Sequence, residues 1–278
     1  MQSPVDRAGV LRQEAAAFKE RIAALSPEDW ERPSACDGWS VADVVAHLSG
    51  QAFVLNVGRG LQGDYSPPPG AAPVTDHNED EFAQNIFQRA FNTRAEAGDQ
   101  LQQILFQRLD EAVDLFDTVE DGQWDNLCYW PPGPESVRTM LDMRISELTM
   151  HAWDVCSRFD PDYHLSDGSV RVLMDTVNRA ARRAFRPDTT IPAPQVYRFV
   201  IDEPVQSVYE LAIANEEVTL QVGEGNVDAD VIFRCDGETY VMVMYGRIAP
   251  DDAIMAGKLD WDGDERLALG FGARFLGG

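Results

Sequence analysis

The stretch SELTMHAWDV, residues 146–155, decides how this chain is read. It lies in a run from about 137 to 158 that has the apolar spacing of a buried helix, with Ser136 placed to cap it. Glu147 and His151 interrupt that run. Positions i and i+4 on a helix lie about 40° apart around the axis, so both side chains leave the same face. A carboxylate and an imidazole in a helix core need something that satisfies both, and a divalent cation does so. The other reading of the same residues is a hydrogen-bonded core histidine, with Glu147 a surface residue or paired with Arg144.

An ion needs at least a third protein ligand, and the chain has four histidines. His77, in the acidic loop VTDHNED, and His164, in the turn FDPDYHLSD, read as solvated surface residues. His47 lies on a second helix, in DGWSVADVVAHL (37–48), on the face that carries Val44 and Leu48. Helix faces turned inward are where a bundle builds a metal site. His47, Glu147 and His151 together form a two-histidine, one-carboxylate set with positions left open for water or substrate, the catalytic type of zinc site. Cys156 is five residues past His151 and points elsewhere on the helix. Asp154 can orient a ligand from behind, or can be a surface carboxylate.

Around this core the organisation is plain. Residues 5–25 repeat apolar side chains at helical spacing. Ser40 and Asp43 form a capping-box pattern ahead of the His47 helix. A turn-rich loop follows, then a helical region from about 79 to 118 with a break near Gly98. A further helix is expected over 168–185, capped by Ser166 or Asp167. RPDTTIPAP (186–194) reads as a linker. Beyond it the texture turns to strands: QVYRFVID, VYELAIA, EVTLQVGEG and ADVIFRCDG. Helix, turn, helix and a short strand follow over 236–264, and a helical run precedes GFGARF near the end. These patterns predict an all-helical domain over 1–188 and a small α+β domain over 189–278.

Composition narrows the function. The 278 residues are 44% hydrophobic and carry a net charge of −24. Such a surface repels phosphate backbones and anionic membranes, which argues against nucleic acid as a partner. No apolar run is long enough for a membrane span, and the N-terminal segment lacks the apolar core of a secretory signal. The four cysteines are widely separated, which suits a reducing cytoplasm and speaks against a cysteine zinc site or a disulfide framework. Lys19 and Lys258 are the only lysines. Arginine in place of lysine points to a GC-rich, actinobacterial type of genome, or to a salt-adapted one.

DGWSVADVVAHL, followed about a hundred residues later by SELTMHAWD, resembles the metal-binding core of DinB-like four-helix bundles, and more narrowly the mycothiol-dependent maleylpyruvate isomerase family. YGRIAPDDAIMAGKLDWDGD (245–264) resembles the sterol-carrier-like domain fused to those bundles. The resemblance covers nearly the whole chain. It implies zinc, or another divalent metal, on His47, Glu147 and His151, and an essential arginine from the second domain that matches Arg247. It implies mycothiol as a thiol cosubstrate. Held as a thiolate, such a thiol adds to a cis double bond conjugated to a carbonyl, the bond rotates, and the thiol leaves. Relatives use the same thiol for S-transfer. An anionic electrophile facing so acidic a protein needs a local cation, a role Arg247 would fill. Metal-assisted hydrolysis, and a non-enzymatic carrier with an apolar ligand in the C-terminal domain, are the alternatives.

Overall fold

The computed structural model describes residues 3–71, 79–186, 194–214, 217–223 and 228–275. His77 and most of the expected linker lie outside the described residues. The chain divides into two compact units, Met1–His164 and Leu165–Gly278.

The first unit is helical. Helix α1 (Pro4–Ala23) starts from a Ser3–Asp6 capping box. α2 (Val41–Leu48) starts from the expected box, with Ser40 accepting from the Asp43 N–H and Asp43 reaching back to the Ser40 N–H. After α3 (Ala52–Leu61), α4 (Glu79–Ala97) and α5 (Leu101–Asp117) are separated by a single tight turn at Gly98, whose φ of +51° suits glycine. A two-residue hairpin of β1 (Leu127–Cys128) and β2 (Glu135–Ser136) leads into α6 (Val137–Cys156), capped by Ser136. α1 packs on α5 and α6, and α2 packs on the same two, so four helices close around one core. Leu11 and Ile22 of α1, Val44 and Val45 of α2, Leu105 and Leu109 of α5, and Ile145 and Leu148 of α6 have no exposed surface. Each such side chain contributes about 1.5–3 kcal/mol by leaving water.

The second unit begins earlier than the 188/189 boundary expected from the linker. Helix α7 (Asp167–Ala184) packs on α8 and on the sheet, so it belongs with the strands rather than with the bundle. Its apolar stripe of Val170, Leu173, Val177 and Ala181 would have suited a bundle equally well, which is why spacing could not assign it. The sheet is β3 (Gln195–Ile201), β4 (Ser207–Ala214), β5 (Glu217–Val222), β6 (Val231–Cys235) and β7 (Asp260–Gly263) in spatial order β5-β4-β3-β6-β7. Only the β3–β6 pair is parallel. α8 (Gly237–Met244), α9 (Pro250–Met255), α10 (Glu265–Leu269) and α11 (Phe271–Arg274) complete the unit. Its interior is filled by rings: Phe271 lies 5.1 Å from Tyr197, 5.6 Å from Phe199 and 5.3 Å from Phe233, centroid to centroid. Val241, Met242, Val243 and Met244 are buried in the same core.

The α2 cap is also a tertiary joint. Arg94 of α4 donates to Asp43 Oδ1 at 3.0 Å and to Ser40 Oγ at 3.1 Å. Burial works to raise the Asp43 pKa, but the hydrogen bonds from Ser40 and the Arg94 guanidinium outweigh it and hold the group below its ordinary 3.8. A depressed carboxylate stabilises the fold above its unfolded pKa, and that contribution disappears as pH falls through the folded value. Asp43→Asn is therefore expected to cost about 1–2 kcal/mol in urea unfolding near neutral pH. The difference from the unmutated chain should shrink as pH falls through the lowered Asp43 pKa.

Candidate metal centre

α2 carries His47 one residue before its end, and α6 carries Glu147 and His151 one turn apart. The packing of the two helices brings all three together. His47 Nε2 lies 3.0 Å from Glu147 Oε2, and His151 Nε2 lies 3.6 Å from the same oxygen. The two imidazole centroids are 4.8 Å apart. Two ligands of a tetrahedral zinc ion, each at about 2.0–2.1 Å, stand about 3.3 Å from one another, and the two observed separations fall on either side of that value. Two imidazole nitrogens and one carboxylate oxygen, all within 4.8 Å of one another, thus fit a divalent ion with open coordination. The ion-pair alternative for Glu147 is not what forms: Arg144 is buried and donates instead to the carbonyl of Leu48 at 3.2 Å. That bond ties α6 to the residue following His47.

The three side chains are shifted in different directions. Burial acts to raise the Glu147 carboxyl, but hydrogen bonds to His151 and His47 outweigh it and hold the group well below the usual 4.5. Because 48% of this side chain remains open, the contact is partly screened and adds little to stability. Burial lowers the His47 pKa, and Glu147 only partly offsets it. Burial would lower His151 as well, but Asp154 and Glu147 together raise it. Arg144 is pulled down to about 10 by burial.

Asp154 turns out to be the residue behind the site. Its carboxylate has no exposed surface, and Oδ2 lies 2.9 Å from His151 Nδ1. This fixes the imidazole tautomer so that Nε2 is left for an ion, the usual arrangement behind a metal-binding histidine. Sequence reading set the cysteines aside, yet Cys36 also comes close: its sulfur, a His151 nitrogen and an Asp154 oxygen lie within 4.8 Å of one another. With Asp154 engaged on His151, that second group buttresses the imidazole. Nothing in the spacing of Cys36, 115 positions before His151, signalled it. Trp39 was passed over too. Its ring lies 5.2 Å from that of His47 and 6.1 Å from that of His151.

Arg247 belongs to the second unit. Its N–H bonds the Met242 carbonyl at 2.8 Å and the Gly246 N–H bonds that of Val243 at 3.0 Å, closing α8 with the glycine-centred cap in which Gly246 has a φ of +68°. Arg247 is half-buried, and its Nη1 donates to the Tyr245 carbonyl at 3.2 Å.

Residues 11–156, more than half of the chain, match the mycothiol maleylpyruvate isomerase N-terminal domain. The chain belongs to that family. Residues 177–275 match the SCP-2 sterol transfer family. Two solved structures of the mycothiol-dependent maleylpyruvate isomerase share the fold at 13% identity. The unmutated enzyme aligns with a TM-score of 0.59 over 89% of this chain and 90% of its own. A single-substitution variant aligns with a TM-score of 0.62 over 94% and 93%. Among curated proteins, hydroxysteroid dehydrogenase-like protein 2 of Danio rerio is 30% identical over 102 residues, 37% of this chain and 24% of that protein. Its Xenopus laevis counterpart is 28% identical over 91 residues, 33% and 22% of the two chains. This chain spans about a quarter of the length of these relatives. Among the described residues, no helix is long and apolar enough to cross a membrane.

Elemental analysis of the purified protein should find about one divalent ion per chain. Glu147→Gln and His47→Ala should each lose most of it. Asp154→Asn should keep the ion but weaken its binding about 10–100-fold. Full occupancy in both ligand variants would overturn the site.

Proposed function

We propose that the chain is a zinc-dependent cytoplasmic enzyme that uses a low-molecular-weight thiol, mycothiol, to isomerise or transfer sulfur to a small anionic electrophile. The observation that carries this reading is the meeting of His47, Glu147 and His151 at hydrogen-bonding range, with His151 fixed from behind by Asp154. When bound, the metal supplies a positive charge that lowers the pKa of a thiol, so that the cosubstrate is held as thiolate at neutral pH. The protein's part is to hold and orient. Glu147 neutralises one charge of the ion, and Asp154 keeps His151 in the ligating tautomer. Arg144 leaves a buried positive charge beside the ligands, which favours an anion in the open position.

Three of the chain's own thiols are poorly suited to replace an external one. Burial pushes Cys128 and Cys156 up to about 11 and raises Cys235 further. A carrier role for the second unit is disfavoured by the rings that fill its interior. Arg247, on the match of YGR to the family pattern, is the proposed clamp for a carboxylate of substrate or thiol, two parallel N–H donors on one planar fork.

Turnover of an α,β-unsaturated acid by the zinc-loaded protein should require mycothiol, and thiol-independent hydrolysis would overturn the reading. Arg247→Lys should keep fold and metal yet lose most of kcat/KM, because an ammonium cannot reproduce the fork. Replacing Cys36, Cys128, Cys156 or Cys235 singly by serine should leave thiol-dependent turnover largely intact. A folded but inactive variant among the four would point to a protein nucleophile.

A further inference from the structure

Trp39 is locked at its backbone and unsatisfied at its side chain. Its N–H donates to the Cys36 carbonyl at 3.1 Å, and its own carbonyl accepts from the Ser34 N–H and hydroxyl, both at 2.9 Å. Trp39 is only 6% exposed, and its Nε1 is a buried polar atom without a hydrogen-bond partner among the described residues. An indole nitrogen can only donate, so this group needs an acceptor that the described residues do not offer it. Leaving such a donor buried and unmade destabilises the fold.

The ring that carries this donor packs against both imidazoles of the centre described above. The ring is nearly parallel to His151 at 21° and leans on His47 at 53°. On its other flank stands Phe87 of α4, 5.5 Å away. Three of the four imidazole nitrogens are otherwise occupied: both Nε2 atoms face Glu147, and His151 Nδ1 faces Asp154. A wall of Trp39 and Phe87 lowers the local dielectric, and there a donor aimed at an anion is worth more than in water.

We propose that the Trp39 indole N–H donates a hydrogen bond to the sulfur of the thiol taken up at this centre. The inference rests on the thiol-dependent reading and assigns one of this chain's own residues to the recognition of the sulfur. Trp39 then selects thiolate over neutral thiol, since an N–H bond to a charged acceptor is the stronger one.

The test uses the full chain loaded with zinc and carrying 15N in its tryptophans. Of the six indole signals, the one nearest in space to the His47 and His151 ring protons belongs to Trp39. Titration with mycothiol should move that signal downfield. In a parallel cobalt-loaded sample, sulfur-to-cobalt absorption reports thiol uptake directly. Trp39→Phe should leave cobalt content unchanged while raising the half-saturating thiol concentration about tenfold. An unmoved indole signal together with equal thiol affinity in Trp39→Phe overturns the donor role alone. Absence of the sulfur-to-cobalt band in the unmutated protein overturns the thiol reading and this inference with it. If Trp39→Phe fails to fold, the indole shift in the unmutated chain still decides.

Discussion

The contact between His47 and Glu147, 3.0 Å across two helices, is the constraint around which the first unit is arranged. A mostly buried imidazole is costly in an apolar bundle, and His47 and His151 are tolerable there because the half-open Glu147 carboxylate meets both. To make them meet, α2 and α6 must cross at one register. That register is held by the apolar residues on either side: Val44 and Leu48 on α2, and Ile145 and Leu148 on α6. Arg144, bonded to the Leu48 carbonyl, adds a polar latch at the same crossing. The buried core thus fixes the position of a polar site that the core alone would reject.

Orientation is built outward from the ligands in layers. Asp154, fully enclosed, takes one nitrogen of His151 and leaves the other free. The loop carrying Ser34, Cys36 and Trp39 is pinned to the same helix, since the Ala35 N–H donates to the Asp154 carbonyl at 2.7 Å. That loop ends at Ser40, the cap of α2. One short segment therefore starts the first ligand helix, touches the second, and lays an indole against both imidazoles. Arg94 extends the chain of support to α4 through the α2 cap. Loops carry function more often than the elements they connect, provided that a rigid scaffold holds them. Here the scaffold is the capping box itself.

The second unit follows a different logic. Its sheet is covered on the buried side by helices and packed by aromatic rings at ordinary contact distances. A fold named for sterol transfer has here an interior made of its own side chains. The residue proposed from it for the chemistry, Arg247, follows the glycine that closes α8.

Much of this was written in the sequence, because it depends on neighbours. Caps at Ser40, Ser136 and Ser166 need only local hydrogen bonds, and the break at Gly98 needs only a residue that accepts a positive φ. Strand alternation and helical spacing gave the elements of both units. Glu147 and His151 share a face by helix geometry alone, so the candidate ligand pair was legible; His47 joined it because its helix shows one apolar side. What the sequence could not carry are choices made between distant segments. The assignment of α7 to the sheet depended on which of two apolar surfaces it covers. The approach of Cys36 to His151 and the stranded N–H of Trp39 arise where a loop meets a helix over a hundred residues away. Spacing along the chain fixes which side chains share a face. Only packing decides what that face meets.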